Sequence, residues 1–398
     1  MLRHAAKNLT LVTFFLIGLI QGIGFTTIPS AGNFITSSSG FAFNAEQYGA
    51  LFLPMIAGAI FASFLGGSLA KKIGIKTVFG VGQLFNILSM ALFSMTFLYI
   101  HSPSISFIVF LCLMLCLGIG FGGVLTSLNA FAFFFFPNRP KTALTLLHSC
   151  LGIGTALGPI IFEYFLKHGV WWYDGIWMGT LYFLLLAAAY VSFPNPHHLG
   201  AKQKSQPHLP FRSLALWGFI GIVLLYGIIE TTFGNWGTIF LHQEKRLNMN
   251  SAALALSLFW ATLTVGRLLT VFLSLKLSTR YIYYSLPPLI LVSLFILYPS
   301  SGKVSLLISF VIAGLGCSAM LPLTIGFAQE KFSSIAPLIS GVMIGVYMLG
   351  FGLASQGIGF LSKIWHLPFS TLFASLCVPI LLLAALNVVV VKKRAADT

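Results

Sequence analysis

Glu230 is the one carboxylate, of seven acidic residues in the chain, that falls deep inside a long apolar run. Glu46, Asp174 and Glu244 fall near the ends of such runs, Glu330 and Asp397 near the opposite ends, and Glu163 within reach of an interface. A carboxyl shielded from bulk water is costly to hold, and such groups usually face the interior of a helix bundle. It is also suited to gaining and losing a proton away from solvent. At helical spacing Glu230 shares a face with Gly227, Gly234 and Gly237, leaving room for a close helix or for a ligand. The residue types leave two readings open. Glu230 couples protons or contacts a ligand, or it forms an ion pair or hydrogen bond that fixes packing, with Arg267 as a partner.

Arg267 follows Gly266 inside another apolar run. It can pair a carboxylate, meet a helix C-terminus or snorkel to an interface, and a structural or gating role is expected. His148 shares a face with Gly152 and Thr155; its ordinary titration range suits a proton shuttle, and packing is the plainer alternative. Gln21, Asn129, Asn235, Trp236, Trp260, Tyr347 and Gln356 have the chemistry of a polar cavity with aromatic walls. The same residues serve equally as interhelical hydrogen bonds.

Other chemistries lack their residues. No H-E-x-x-H, phosphate loop or closely spaced carboxylate pair is present, so no enzyme and no cofactor is expected. Cys112, Cys116, Cys150, Cys317 and Cys377 all sit in apolar stretches and read as packing residues. His197, His198 and His208 form a cluster without cysteine or carboxylate nearby, a poor metal cage, so no metal is expected. The formal charge of +15 comes from 22 basic residues scattered in small groups rather than gathered in a patch. Nucleic acid is therefore not an expected partner.

The elements that must position these groups follow from composition. Hydrophobic residues make up 58% of the chain and charged residues 7%, too few charges to cover a water-soluble surface. With about 20 apolar residues needed per crossing, twelve spans emerge. They lie near 8–31, 47–70, 77–99, 105–135, 142–166 and 175–193, then 212–241, 250–275, 281–299, 303–328, 337–362 and 368–391. The first is read as a span rather than a cleaved leader, since the run from Leu9 to Pro29 exceeds a signal core. Sixteen basic residues occupy one set of alternating segments and five the other, with Arg267 left inside a helix. The richer side is expected to be cytoplasmic, which places both termini there.

The polar stretch 194–211 divides the chain into halves at 1–193 and 212–398. Gly118-Ile119-Gly120 and Leu151-Gly152-Ile153-Gly154 find counterparts in Gly314-Leu315-Gly316 and Leu349-Gly350-Phe351-Gly352. Two related six-helix halves suit a carrier with its substrate site near the bilayer midplane.

The loop Gly67-Ser68-Leu69-Ala70-Lys71-Lys72-Ile73-Gly74-Ile75-Lys76 resembles the G-x-L-A-D-R-x-G-R-K signature of the major facilitator superfamily. Lys72 and Lys76 match basic positions, while Lys71 replaces the aspartate that in the family helps latch the cytoplasmic side. Tyr226-Gly227-Ile228-Ile229-Glu230 with Gly234-Asn235-Trp236, and Phe259-Trp260 with Gly266-Arg267, are similar to the fucose–proton symporter-like branch. So are Gly118, Gly120, Gly122 and Asn129. The acidic residues of that symporter's first and fourth helices are absent: Gln21 stands in the first span, and Gly123 or Leu125 in the fourth. Gly154 to Pro159 partly resembles a drug-antiporter pattern but lacks its following glycine pair.

The resemblance implies an all-α major facilitator fold in a bacterial cytoplasmic membrane, working as a monomer amid lipid. It implies proton-coupled symport of a small polar organic solute such as a sugar. Glu230 and His148 are then the coupling candidates, and Lys71, Lys72, Lys76 and Arg267 the gating or structural charges. Proton-coupled efflux of drugs or amphipathic metabolites is the alternative, and a non-transporting membrane receptor the alternative of another class.

Overall fold

In the computed structural model the described residues are 2–136, 140–193, 209–332 and 336–391. Most of the 194–211 stretch, with its three histidines, lies outside them, as do Arg139 and the basic residues Lys392, Lys393 and Arg394. The described residues form helices and no strand, and twelve helical stretches are long and apolar enough to cross a membrane. A chain in lipid has no water to satisfy its peptide groups, so each apolar run closes its own hydrogen bonds as a helix.

Two units divide the chain, Met1–Lys202 and Gln203–Thr398. The first contains α1 (Leu2–Ser30), α2 (Gly32–Thr36), α3 (Ala45–Ala50), α4 (Phe52–Ile73), α5 (Ile75–Met95), α6 (Pro103–Phe135), α7 (Pro140–Lys167) and α8 (Tyr173–Ser192). The second contains α9 (Leu214–Gln243), α10 (Met249–Ser274), α11 (Thr279–Leu297), α12 (Lys303–Cys317), α13 (Met320–Lys331), α14 (Ala336–Ile364), α15 (Phe369–Ser375) and α16 (Cys377–Val391).

The glycines that suggest a repeat have matching tasks in each unit. A β-carbon on Gly118 would meet the Met55 backbone of α4, and one on Gly314 the Phe259 backbone of α10. Gly120 faces Asn86 of α5, and Gly316 faces Ile290 of α11. Gly154 lies on the Leu19 carbonyl of α1, and Gly350 on the Leu224 carbonyl of α9. All three pairs stand 196 positions apart. In each half the fourth crossing is therefore wedged between the second and third, and the fifth lies on the first. Small residues at these crossings let helix backbones approach closely in lipid.

The signature loop is a one-residue hinge. Gly74 joins α4 to α5 at φ 85°, a backbone region costly to residues with a β-carbon. Lys72 is exposed, and the Lys71 side chain lies outside the described ones. Lys76 caps the end of α8: its Nζ donates to Tyr190 O and Phe193 O, both at 2.8 Å, and sits 4.9 Å from the Tyr190 ring centre. A cation is favoured at a helix C-terminus. Lys76→Ala should lower stability by about 1 kcal/mol. Thermal denaturation in detergent checks this, and Lys76→Arg should recover most of the loss.

A comparable clip serves the second unit. Glu244 accepts hydrogen bonds from the Phe369 and Ser370 amides at the start of α15. Beside it Lys245 Nζ donates to Tyr298 O at 2.7 Å and Ser300 O at 2.9 Å, past the end of α11. Partial burial holds the Lys245 ammonium below the usual lysine range, against the opposing pull of Glu244.

Candidate functional site

The α9 helix carries apolar side chains on almost every face, and from Ile229 to Leu241 every residue is buried. Glu230, in its middle, is only 4% exposed. A carboxylate so placed must be met by donors, and two tyrosines supply them. Tyr226, one turn earlier on the same face, donates its hydroxyl to Oε2. Tyr347 of α14 donates to Oε1 at 2.7 Å. The two rings stack at 5.8 Å between centres, so the donors arrive as a packed pair.

The glycines around Glu230 serve this packing. Gly227 lies against the α14 backbone at Tyr347 and Phe351, which brings the Tyr347 hydroxyl within reach of the carboxylate. Gly234 lies under the Trp260 ring and Gly237 against the Phe310 ring. Farther along the same seam, Asn235 Nδ2 donates to Ser355 Oγ at 2.9 Å.

Of the three partners open to Arg267, the structure selects a helix C-terminus. Its Nε donates to Ser318 O at 3.0 Å, past the last residue of α12. Trp236 is wholly buried beside Phe369, with ring centres 5.5 Å apart. Trp260 is buried with its Nε1 lacking a hydrogen-bond acceptor, as are Ser257 Oγ and Thr231 Oγ1. Gln356 Oε1 on α14 is likewise buried and unmatched.

In the first unit Gln21 is wholly buried in a cluster of three amides. Asn86 Nδ2 donates to Gln21 Oε1 at 3.0 Å and to Gln83 Oε1 at 2.9 Å. Gln21 Nε2, Gln83 Nε2 and Asn86 Oδ1 keep unused hydrogen-bonding capacity. Asn129 Oδ1 on α6 does too. His148 is half-buried on α7. Sequence reasoning missed Gln83 and Asn86, although their spacing of three puts them on one helix face. It also missed Tyr226 as a ligand of Glu230, although a spacing of four carries the same signal.

Asp174 lies beside a loop as expected, yet it is buried there. It is 1% exposed, at the second position of α8, with Oδ1 unpartnered. A helix start favours an anion there, which gives Asp174 a structural explanation that mid-helix Glu230 does not have. No group of three or more metal-ligating side chains occurs among the described residues.

The model of the Major Facilitator Superfamily matches residues 10–358. The chain belongs to this superfamily. It is a multi-pass integral membrane protein and a secondary transporter of small molecules, not an enzyme. Among curated superfamily relatives, the glucose/mannose transporter GlcP of Bacillus subtilis (strain 168) is 23% identical over 321 residues. That match covers 75% of this chain and 76% of GlcP. Solved structures share the fold. A mutant of the nucleoside transporter NupG matches at TM-score 0.77 and 16% identity, covering 97% of this chain and 100% of that one. A bacterial homologue of the human lysosomal transporter Spinster, inward-facing and occupied, matches at TM-score 0.67 and 15% identity, covering 96% and 94%.

Proposed function

We propose that this superfamily member is a proton-coupled symporter of a small neutral polar solute, a sugar being the leading class. It would work as a monomer in a bacterial cytoplasmic membrane, with both termini cytoplasmic. The observation that carries the reading is Glu230, a carboxylate in mid-span, buried and held by two tyrosine hydroxyls. A residue serving packing alone would do as well uncharged, and intramembrane carboxylates concentrate on proton and ion pathways.

The remaining polar chemistry favours a neutral solute. Amides at Gln21, Gln83, Asn86, Asn129 and Gln356 and the indole of Trp260 have unused hydrogen-bonding capacity. Such groups suit hydroxyls better than a strong charge. The likeness to a glucose/mannose transporter supports the same class.

Counterflow in proteoliposomes tests the substrate class. Labelled glucose or mannose should exchange well above protein-free vesicles, and an inward proton gradient should stimulate net uptake. Movement of amphipathic drugs without hexose would favour an antiporter instead. Hexose binding without movement would favour a receptor.

A further inference from the structure

The repeat fails in the middle of the tenth crossing, as it does where the twelfth divides into α15 and α16. In the first half α6 runs unbroken from Pro103 to Phe135, whereas its counterpart stops at Cys317 and resumes at Met320. Pro322 explains the break. A proline inside a helix has no amide to donate to the carbonyl four residues earlier, and its ring clashes with that carbonyl. Here that carbonyl is Ser318, while the position 196 earlier than Pro322 is Thr126, which keeps its amide.

Two carbonyls at the break take side-chain donors instead. Ser318 O accepts from Arg267 Nε at 3.0 Å, and Cys317 O accepts from the Tyr226 hydroxyl at 3.0 Å. Tyr226 is also the donor to Glu230 Oε2. A phenol has one proton to donate, so these two acceptors compete for it.

The competition has a definite outcome in each protonation state. With Glu230 ionised, the charged acceptor takes the Tyr226 proton because hydrogen bonds to ions are the stronger ones. Tyr347 donates to the other oxygen, and Cys317 O loses its side-chain donor. With Glu230 protonated, its own hydroxyl donates to Tyr226 Oη, and the Tyr226 proton turns to Cys317 O. Tyr347 still donates to Oε1. One proton has entered, and both Glu230 oxygens, the Tyr226 and Tyr347 hydroxyls and Cys317 O are matched.

We propose that Tyr226 is a positioning residue that passes the protonation state of Glu230 to the break in the tenth span. This deepens the coupling role proposed for Glu230 and rests on it. The protonated state ties α12 to α9 through Tyr226; the ionised state releases that tie, leaving Arg267 as the remaining clasp at the break. The titratable or charged groups interacting with Glu230 or sharing this cluster are Tyr226 on its own helix, Arg267 on α10, Cys317 on α12 and Tyr347 on α14.

Hydrogen–deuterium exchange at residues 319–323, corrected for intrinsic rates, tests the switch in mildly acidic and mildly alkaline buffer. In the unsubstituted protein, protection should fall about fivefold on the alkaline side, the value of one net hydrogen bond. Glu230→Gln should stay protected in both buffers, because its amide can donate to Tyr226 as the acid does. Tyr226→Phe should show low protection that no longer responds to pH. Tyr347→Phe removes a donor from Glu230 without touching the break, and should keep the response. Unchanged pH dependence in Tyr226→Phe, or in Glu230→Gln should the phenylalanine variant fail to fold, overturns the switch. So does a pH-independent unsubstituted protein. Failure of the coupling role reads out separately, as normal gradient-driven uptake by Glu230→Gln.

Discussion

Glu230→Gln should collapse gradient-driven accumulation while leaving exchange at equal pH largely intact. The glutamine keeps the shape and packing of the protonated acid, accepts from Tyr347, and removes the group that titrates. One unit of pH gradient, coupled to one proton, can sustain about tenfold accumulation of a neutral solute. The substituted protein should reach about onefold, the equilibrative limit, with counterflow retained. A purely structural Glu230 predicts a different failure, in which protein yield, thermal stability and both activities decline together. Full accumulation at normal expression would remove Glu230 from the coupling role. It would pass the question to His148 and to the buried Asp174.

The second large effect is structural and concerns the crossing that aims Tyr347 at Glu230. A β-carbon on Gly350 would stand 2.3 Å from the Leu224 carbonyl oxygen and 3.1 Å from its carbon. Both are backbone atoms, so only a shift of α14 against α9 can relieve the overlap. Gly350→Ala should therefore destabilise the protein by about 3 kcal/mol, the upper range of a single overpacking. It should also lengthen the Tyr347–Glu230 hydrogen bond, lowering transport in whatever protein folds. Gly345→Ala on the same helix is the control, since nothing lies within 4 Å of its added carbon. Melting curves of the two variants in detergent check the prediction; equal stability would overturn it by showing that the α9–α14 contact accommodates a β-carbon at Gly350.

The sequence by itself determined the class of molecule, the twelve crossings and the superfamily. These are properties of composition and period: lipid rewards long apolar runs, and each must become a helix. Glu230 stood out because a carboxylate in a long apolar run is rare enough to be read alone.

What surrounds Glu230 was decided only in three dimensions. Tyr347 is 117 positions away and Cys317 is 87 away. Nothing local in either stretch says that Gly227 and Gly350 bring α9 and α14 close enough for a hydroxyl to meet the carboxylate. The sequence context of Arg267 allows three kinds of partner, and the one it takes depends on Pro322, which frees the Ser318 carbonyl that Arg267 meets. Gln21 likewise looked like an isolated polar residue until Asn86, 65 positions on, met it within a buried amide cluster. Periodicity tells which face of a helix is polar, whereas the partner of that face depends on which helix packs there and at what height.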